Sequence, residues 1–363
     1  MVPPQRSTKA NTDYARNTAD GRCGYASMIQ IKEKAEFHTV AQTMPQPAAK
    51  ATEAATHIQF PSIAILMCTY NGERFLEQQL DTILGQNHAR WHLYISDDGS
   101  SDATLSILHR YSSRLEDRFT LFSGPGMGFA ANFLSLLRRQ EVRADYYAFS
   151  DQDDIWYADK LSRAIAALSG CPDGALLYCG RTRLVDEQGN VLGKSPAFVR
   201  PPRFSNALVQ SLAGANTMVF NETTRRLIGR VGEGSKIVAH DWLAYLLVSA
   251  VGGTVLYDPR PCLDYRQHSE NLIGGNASIQ DRFQRLSMML SGRFARWNSV
   301  NIEVLSSIDE LITYENRQTL ALFVAARAKA GLAALLLLRR AGVYRQTFFG
   351  NLSLAVASLI KRI

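Results

Sequence analysis

Residues 146–156 read YYAFSDQDDIW, an apolar run that ends in three carboxylates within four positions. Carboxylates this close raise one another's pKa or recruit a counterion, and a ligand set made only of oxygen suits Mg2+ or Mn2+. At the end of a strand, Asp151 and Asp153 project to the same side, whereas Asp154 points elsewhere and is placed to cap the next helix. The stretch predicts a strand that delivers a cation site; the alternative is a solvated acidic loop.

The unit of strand, polar loop and helix occurs four times between residues 60 and 169. The predicted strands are 62–68, 91–96, 119–123 and 146–150, and the predicted helices are 73–84, 103–112, 129–139 and 157–169. The repetition predicts an α/β fold with a mostly parallel, Rossmann-like sheet and helices on both faces.

Polar residues follow each of these predicted strands, where ligands of such sheets bind. They are Thr69, Asn71, Asp97, Asp98, the glycine loop 124–128, Asp151 and Asp153. Taken singly, each is typical of a turn or a helix cap. The glycines at 124, 126 and 128 are also spaced too closely for the GxGxxG fingerprint. Taken together, the positions predict a single crevice at one edge of the sheet.

The chain changes character after a fifth predicted strand at 175–179. A hairpin turn is predicted at 187–190, and Asn221 is predicted to cap a helix over 222–230. An apolar helix then runs to residue 251 with Asp241 in its first turn. An Asp in that position is favourable for capping and dipole reasons alone, so the residues leave its role open.

The formal charge of +7 is unevenly distributed along the 363 residues. Residues 58–279 carry −2, whereas residues 1–57 carry +2 and residues 280–363 carry +7. A mildly acidic core argues against a nucleic-acid partner. The basic C-terminal extension is predicted to form basic amphipathic helices on an anionic membrane; the alternative is core-packing or dimer-forming helices with a solvated basic face.

The remaining composition indicates a soluble or peripheral cytoplasmic protein. Residues 1–57 are rich in Ala, Thr, Gln and Pro and are predicted to be a disordered leader or linker. Five cysteines without a CxxC pair suggest neither a disulfide framework nor a zinc site. No secretory signal is recognised, and the apolar stretches 330–338 and 348–360 are too short or interrupted to span a bilayer.

From residue 61 to about 276 the chain resembles the family 2 glycosyltransferases of GT-A fold, especially rhamnosyltransferase-like members of bacterial polysaccharide synthesis. Six stretches carry the resemblance: CTYNG at 68–72, DDGSSD at 97–102, GFAANF at 128–133, SDQDDIW at 150–156, HDW at 240–242 and YRQH at 265–268. The resemblance implies a catalytic domain over 58–279, followed by a helical extension over 280–363.

The resemblance also implies roles for particular residues. The donor, a dTDP- or UDP-sugar, would be bound by Thr69, Tyr70, Asn71, Asp97, Asp98, Gly128 and Asp151. Mg2+ or Mn2+ on the diphosphate would be bound by Asp151 and Asp153, and His268 is either a third metal ligand or an ordinary hydrogen-bonded residue. Asp241 would be the catalytic base, next to His240 where many family members have Glu. The acceptor would be a saccharide or a lipid-linked sugar.

One base and no evident carboxylate nucleophile predict single displacement with inversion at the anomeric carbon. Two other functions remain open from the residues. One is a sugar nucleotidyltransferase, although no glycine-rich basic loop for a triphosphate is evident. The other is a non-catalytic, membrane-associated scaffold that binds nucleotide sugars. Trp156 and Trp242 are each either stacking residues at the site or core anchors.

Overall fold

A computed structural model of the chain describes residues 60–232, 234–268 and 292–363. By contacts, residues 58–363 form one compact unit. Within the described residues a nine-stranded sheet consists of β1 Ile63–Thr69, β2 Trp91–Asp97, β3 Phe119–Ser123, β4 Tyr146–Ser150, β5 Ile155–Trp156, β6 Leu176–Val185, β7 Val191–Lys194, β8 Val219–Asn221 and β9 Thr254–Arg266.

Helices lie between these strands and after them. They are α1 Leu76–Leu84, α2 Thr104–Leu115, α3 Phe129–Arg138, α4 Lys160–Leu168, α5 Phe204–Ala207, α6 Glu222–Gly229, α7 His240–Ala250, α8 Arg293–Ser306, α9 Tyr314–Ala328, α10 Gly331–Arg340 and α11 Phe348–Leu359. The predicted cap of α6 is confirmed, because the side chain of Asn221 accepts a hydrogen bond from the backbone N–H of Thr224. The predicted leader 1–57 lies outside the described residues.

The strands follow the order β3-β2-β1-β4-β8-β6-β9-β5, with β7 paired to β6. The first four strands are parallel, as predicted, because a helix crosses over between consecutive strands. Beyond β4 the sheet is mixed: β8 is antiparallel to both of its neighbours, and β9 is parallel to β6. The α/β fold class is confirmed, and the parallel arrangement is confined to the N-terminal strands and the β6–β9 pair.

The register of β1 brings the loops of the site together. Thr69 pairs with Asp97 of β2, and Met67 pairs with Ser150 of β4. The three strands therefore end within about two residues of one another at the same edge of the sheet. The segments that follow them meet there, as the polar residues at the strand ends had predicted.

Side chains of β1 alternate between two hydrophobic cores, one on each face of the sheet. Ala64 and Leu66 belong to the core covered by α3, α6 and α7, whereas Ile63, Ile65 and Met67 belong to the core covered by α1, α2 and α4. Because both faces are covered, the strand is apolar throughout instead of alternating.

The C-terminal helices share the first of these cores. Leu305, Phe323, Leu338 and Leu354 are buried in it, and α8 packs against α7. The extension is therefore joined to the sheet domain by a common hydrophobic core. No helix among the described residues is long and apolar enough to cross a membrane.

Two elements near the site differ from the predictions. β5 is a two-residue strand that pairs antiparallel with β9 and was not predicted. β9 runs to Arg266, whereas the sequence predicts a strand only over residues 254–257, because Asp258 and the prolines at 259 and 261 interrupt its apolar pattern. The β6–β9 register shifts at the same point. The longer strand carries the YRQH segment to the acidic loop.

Candidate active site

Three carboxylates form a compact cluster where β4 ends. Asp151, Asp153 and Asp154 each have an oxygen within 4.8 Å of the others. Burial, together with the charges of Asp153 and Asp241, raises the pKa of Asp151 to about 7. The cluster therefore holds negative charge in a position where water does not compensate it.

Asp154 occupies a different place from the one predicted. The carboxylate is fully buried, its Oδ2 accepts a hydrogen bond from Asn216 Nδ2 at 2.7 Å, and its Oδ1 has no partner among the described residues. The prediction that Asp154 caps the next helix is wrong, because α4 begins at Lys160 without a side-chain cap. The buried β5 turns the chain inward, and this brings Asp154 into the cluster.

The cluster offers the oxygen donor atoms that a hard divalent cation prefers. The oxygens belong to carboxylates, and one of them, Asp154 Oδ1, is buried and unpartnered. Such a set suits Mg2+ or Mn2+. The buried amine of Lys160 lies 3.0 Å from the ring centroid of Trp156 and makes no hydrogen bond to any residue that the structure describes. Burial lowers the pKa of Lys160 to about 7, so this lysine is a weakened counterion for the cluster.

Gln152, the central residue of the acidic motif, connects the cluster to the loop after β1. Its Oε1 accepts from the backbone N–H of Tyr70 at 2.9 Å, and its Nε2 donates to the Tyr70 carbonyl at 3.0 Å. A Cβ at Gly72 would lie 2.4 Å from Gln152 Oε1, so a larger residue there would displace the Gln152 side chain. The ring of Tyr70 is 59% exposed and is available to a ligand. Sequence reasoning had assigned no role to Gln152.

Asp97 is buried and organises the loops after β1 and β2. Its Oδ2 accepts from Thr69 Oγ1 at 2.9 Å and from Ser100 Oγ at 2.6 Å, while its Oδ1 accepts from the Ser100 backbone N–H. Asn71 joins the same network, because its N–H donates to Ser100 Oγ and its Oδ1 accepts from the Ser101 N–H. Three of the predicted donor-binding residues, Thr69, Asn71 and Asp97, are thus brought together.

Asp98 holds the glycine loop. Its Oδ1 accepts from the Gly126 N–H at 2.7 Å, and its Oδ2 accepts from the Gly128 N–H at 2.8 Å. Both glycines have positive φ, 68° and 86°, which side chains rarely tolerate. Gly124 is confined in another way, because a Cβ there would lie 2.7 Å from Asp98 Oδ1. The loop amides are engaged by the protein's own carboxylate, which the spacing alone had not indicated.

The end of β9 closes the cluster from the other side. His268 Nε2 lies 2.8 Å from Asp153 Oδ2, a hydrogen-bond distance, and the imidazole packs against Phe75. Arg266 donates to the backbone carbonyls of Asp153 and Glu187 and to the side chain of Gln78. The structure therefore places His268 on the acidic cluster, and it shows that Arg266 holds the loop in position. The signal for Arg266 was its place in the YRQH segment.

Asp241 lies in the first turn of α7, close enough to Asp151 for their charges to interact. Its Oδ1 accepts from the Trp242 N–H at 2.7 Å, and its Oδ2 accepts from Ser211 Oγ at 3.2 Å. Burial raises the pKa of Asp241 to about 6, in the range that suits a general base near neutral pH. Ser211 had not been identified from the sequence.

His240 is enclosed by aromatic rings. It stacks on Phe133 at 4.1 Å and meets Phe149 and Phe129 edge-on. Burial lowers its pKa to about 3, so the imidazole is neutral. His240 therefore fills a hydrophobic position and leaves Asp241 as the carboxylate of this turn.

The two tryptophans of the motifs are core anchors. Trp156 is 3% and Trp242 is 6% exposed, and the indole N–H of Trp242 donates to the carbonyl of Ala207. The alternative that they stack on a ligand is wrong for these conformations, because their faces are covered by protein.

This edge of the sheet combines an acidic cluster, a hydrogen-bonded loop network and an adjacent buried carboxylate, and most of it lies in a region that matches a known family. Residues 64–231 match the family model described as Glycosyl transferase family 2. These residues form a family 2 glycosyltransferase domain. The glycosyltransferase match includes Thr69 and the acidic cluster, whereas Asp241 and His268 lie beyond it.

Several known proteins are similar to this glycosyltransferase. The dTDP-rhamnosyl transferase RfbG of Shigella flexneri is 29% identical over 237 residues, which cover 61% of this chain and 78% of the relative. The putative teichuronic acid biosynthesis glycosyltransferase TuaG of Bacillus subtilis (strain 168) is 26% identical over 221 residues, which cover 60% of this chain and 82% of the relative.

Solved structures of glycosyltransferases also resemble it. The mannosyltransferase PcManGT from Pyrobaculum calidifontis, in complex with GDP-Man and Mn2+, has a TM-score of 0.47 at 19% identity, covering 83% of this chain and 87% of that chain. S. aureus TarS 1-349 in complex with UDP-GlcNAc has a TM-score of 0.49 at 14% identity, covering 83% of this chain and 90% of that chain.

Proposed function

We propose that this glycosyltransferase moves a sugar from a nucleotide-sugar donor to a hydroxyl of a saccharide or lipid-linked acceptor, with inversion at the anomeric carbon. The observation that carries the proposal is the position of Asp241 within electrostatic reach of the acidic cluster. One site of this kind brings together a place for the leaving diphosphate and a base for the acceptor.

The cluster would bind the diphosphate end of the donor. Asp151 and Asp153 would hold Mg2+ or Mn2+, and the unpartnered oxygen of Asp154 makes it a further ligand. When bound, such an ion offsets the negative charge that develops on the leaving nucleoside diphosphate. His268, at 2.8 Å from Asp153, is either an additional ligand or the residue that orients Asp153.

The ordered loops after β1 and β2 would bind the base and ribose. The proposed donor contacts are Thr69, Tyr70, Asn71, Asp97, Asp98, Gly128 and Asp151. The exposed ring of Tyr70 offers a stacking surface for the base. Because Asp97 and Asp98 already accept hydrogen bonds from their own loops, their main contribution would be a preformed loop shape.

Asp241 would act as the general base. The acceptor oxygen attacks the anomeric carbon, the bond from that carbon to the phosphate oxygen breaks, and the electron pair leaves with the nucleoside diphosphate. The proton of the acceptor hydroxyl passes to the carboxylate of Asp241. With the attack opposite the leaving group, this single displacement inverts the anomeric configuration.

The relatives suggest the class of donor and product. A similarity of 29% identity to a dTDP-rhamnosyl transferase makes dTDP-rhamnose the first donor to test, with UDP-sugars next. The similarity to a putative teichuronic acid glycosyltransferase favours surface polysaccharide as the product. The proposed location is the cytoplasm, with the C-terminal extension on the inner face of the cytoplasmic membrane.

The proposal is tested by release of nucleoside diphosphate from a panel of dTDP- and UDP-sugars, with and without acceptor sugars, in the presence of Mn2+. We expect one donor to be consumed and the release to stop after thorough chelation with EDTA and to return with added Mn2+. Turnover that survives chelation would contradict the metal role. A requirement for pyrophosphate would instead indicate a nucleotidyltransferase, and donor binding without any release would indicate a scaffold.

A further inference from the structure

Helix α11 exposes a large apolar face. Phe348 is 77%, Phe349 69% and Leu352 52% exposed, and Val356 and Leu359 are also exposed. The helix contains no charged residue between positions 348 and 359. Exposed apolar surface of this extent on a folded domain indicates a contact with a partner.

The spacing of these residues places them on one side of the helix. Phe348, Leu352, Val356 and Leu359 follow one another at intervals of three or four, which is one face of an α-helix. Positions 354, 357 and 358 lie on the opposite face and are buried. The helix is therefore apolar toward the core and apolar toward the outside.

The preceding helix extends this apolar surface. α10 packs on α11, and it exposes Leu332 and Leu336 one turn apart, at 73% and 62%. Its last two residues, Arg339 and Arg340, are exposed and basic. Apolar side chains thus come first in this helix and cationic side chains follow.

The charge around the surface has one sign. Residues 331–363 contain five basic residues and no Asp or Glu. Exposed cations stand at the end of α10 and, as Lys361 and Arg362, just after α11. No carboxylate in the described parts of the chain pairs with Arg339, Arg340, Lys361 or Arg362. The cations are available to anions outside the protein.

We propose that the exposed faces of α10 and α11 insert into the surface of an anionic lipid bilayer. Phe348, Phe349 and Leu352 would enter the boundary between headgroups and acyl chains, and the flanking cations would contact anionic headgroups. A second copy of the chain is a less favourable partner for these faces than an anionic bilayer, because pairing two copies would bring their positive charges together.

This proposal narrows the membrane contact expected from the sequence to two helices whose exposed faces are apolar. A basic face would bind by charge alone and would release at high salt, where the Debye length falls from about 10 Å at 0.1 M to about 3 Å at 1 M. Insertion of apolar side chains persists at high salt. The salt dependence of binding therefore separates insertion from adsorption.

The test is sedimentation of the full chain with vesicles of phosphatidylcholine, with and without phosphatidylglycerol, at about 0.1 M and about 1 M salt. We expect binding to the phosphatidylglycerol vesicles at low salt and retention of a substantial fraction at high salt. The variant F348S/F349S should lower the partition coefficient by about tenfold or more, from the loss of two exposed rings.

The matched control is V191S/L192S, which removes two side chains of 60% and 59% exposure from β7. It should bind vesicles as the unmodified protein does. All variants should show the same thermal unfolding and the same release of nucleoside diphosphate from a soluble donor. Because that release does not involve the vesicles, failure of membrane binding and failure of the proposed activity are distinguishable.

Three results would overturn the proposal. One is the absence of binding to phosphatidylglycerol vesicles at low salt. Another is F348S/F349S binding as tightly as the unmodified protein, which would mean adsorption by charge. The third is a dimer in analytical ultracentrifugation that F348S/F349S converts to a monomer, which would show that the face joins two copies of the chain.

Discussion

Two carboxylates of the site, Asp151 and Asp241, are held in environments that oppose their ionisation. Burial raises the pKa of Asp241 to about 6 and that of Asp151 to about 7. For each of these two groups the folded-state pKa lies above the unfolded value. Their contribution to the free energy of unfolding is therefore greatest at low pH and is lost as pH rises through the folded-state pKa. Residues that reduce stability when ionised are common where their charge has a use, which supports a functional role for both.

Asp241→Asn should lower kcat by about 100-fold to 10,000-fold, because the amide cannot accept the acceptor's proton. The melting temperature of the metal-free protein at pH 8 should stay the same or rise, since the ionised carboxylate is the disfavoured form. Steady-state kinetics and calorimetry measure the two effects. The control Glu303→Gln changes an exposed carboxylate of α8 and should leave both unchanged. Near-normal turnover of Asp241→Asn would exclude it as the base.

The pH dependence of kcat/KM should report the same group. The base acts when ionised, so the rate should be constant above the pKa of about 6 and fall about tenfold for each pH unit below it. The residual activity of Asp241→Asn should not show this fall in rate at low pH. An unmodified enzyme whose rate stays flat down to pH 4.5 would contradict the assignment.

At the scale of elements, the site is held together by contacts between loops that follow different strands. The long β9 is central, because Arg266 at its end links the acidic loop to α1 and to the β6–β7 hairpin. Gln152 and Asp98 act in a similar way on the loops after β1 and β3. These residues hold the proposed ligand-binding side chains in position, and Asp98 is itself a proposed donor contact.

Arg266→Met should weaken Mn2+ binding by about 10-fold to 100-fold, as loss of an outer-shell partner commonly does. The reason is that the carbonyl of Asp153 loses the donor that fixes the acidic loop. Isothermal titration with Mn2+ gives the affinity without any need for turnover. Arg260→Met is the matched control, because it removes an exposed arginine from the same strand. Equal Mn2+ affinities in the two variants would show that Arg266 has no such role.

At the scale of the whole molecule, hydrophobic cores cover both faces of the sheet, and the acidic cluster lies at the edge where the parallel strands end. The C-terminal helices add to one core and present an apolar surface outward. The acidic cluster and the exposed apolar surface therefore belong to one compact unit. A ligand of the native cluster should thus stabilise the whole unit against unfolding.

Mn2+ at 100 times its dissociation constant should stabilise the folded protein by about 2.7 kcal/mol, a shift of several degrees in Tm. Asp153→Ala should lose most of this shift and should also lose activity, because it removes a proposed ligand. Thermal unfolding with and without Mn2+ measures the shift. Asp309→Ala, which removes an exposed carboxylate from the C-terminal helices, should keep it. An undiminished shift in Asp153→Ala would show that the ion binds elsewhere.

The sequence by itself determined the four βα units, the edge where their loops meet and two of the three cluster residues, Asp151 and Asp153. Runs such as 63–67 must be buried on both faces, and polar residues placed after each strand must meet when parallel strands end together. The cap by Asn221 could also be predicted from local sequence, because it depends only on that residue and the three that follow it. These features follow from spacing, which a sequence displays directly.

Only the tertiary structure decided which partners the polar side chains have. Asp154 joins the cluster because β5 pairs with β9, a strand more than 100 residues later, and His268 reaches Asp153 for the same reason. Likewise, which apolar side chains of α11 are buried and which are exposed depends on the side of the helix that the shared core covers. Such contacts join distant parts of the chain, and no local pattern of residue types specifies them.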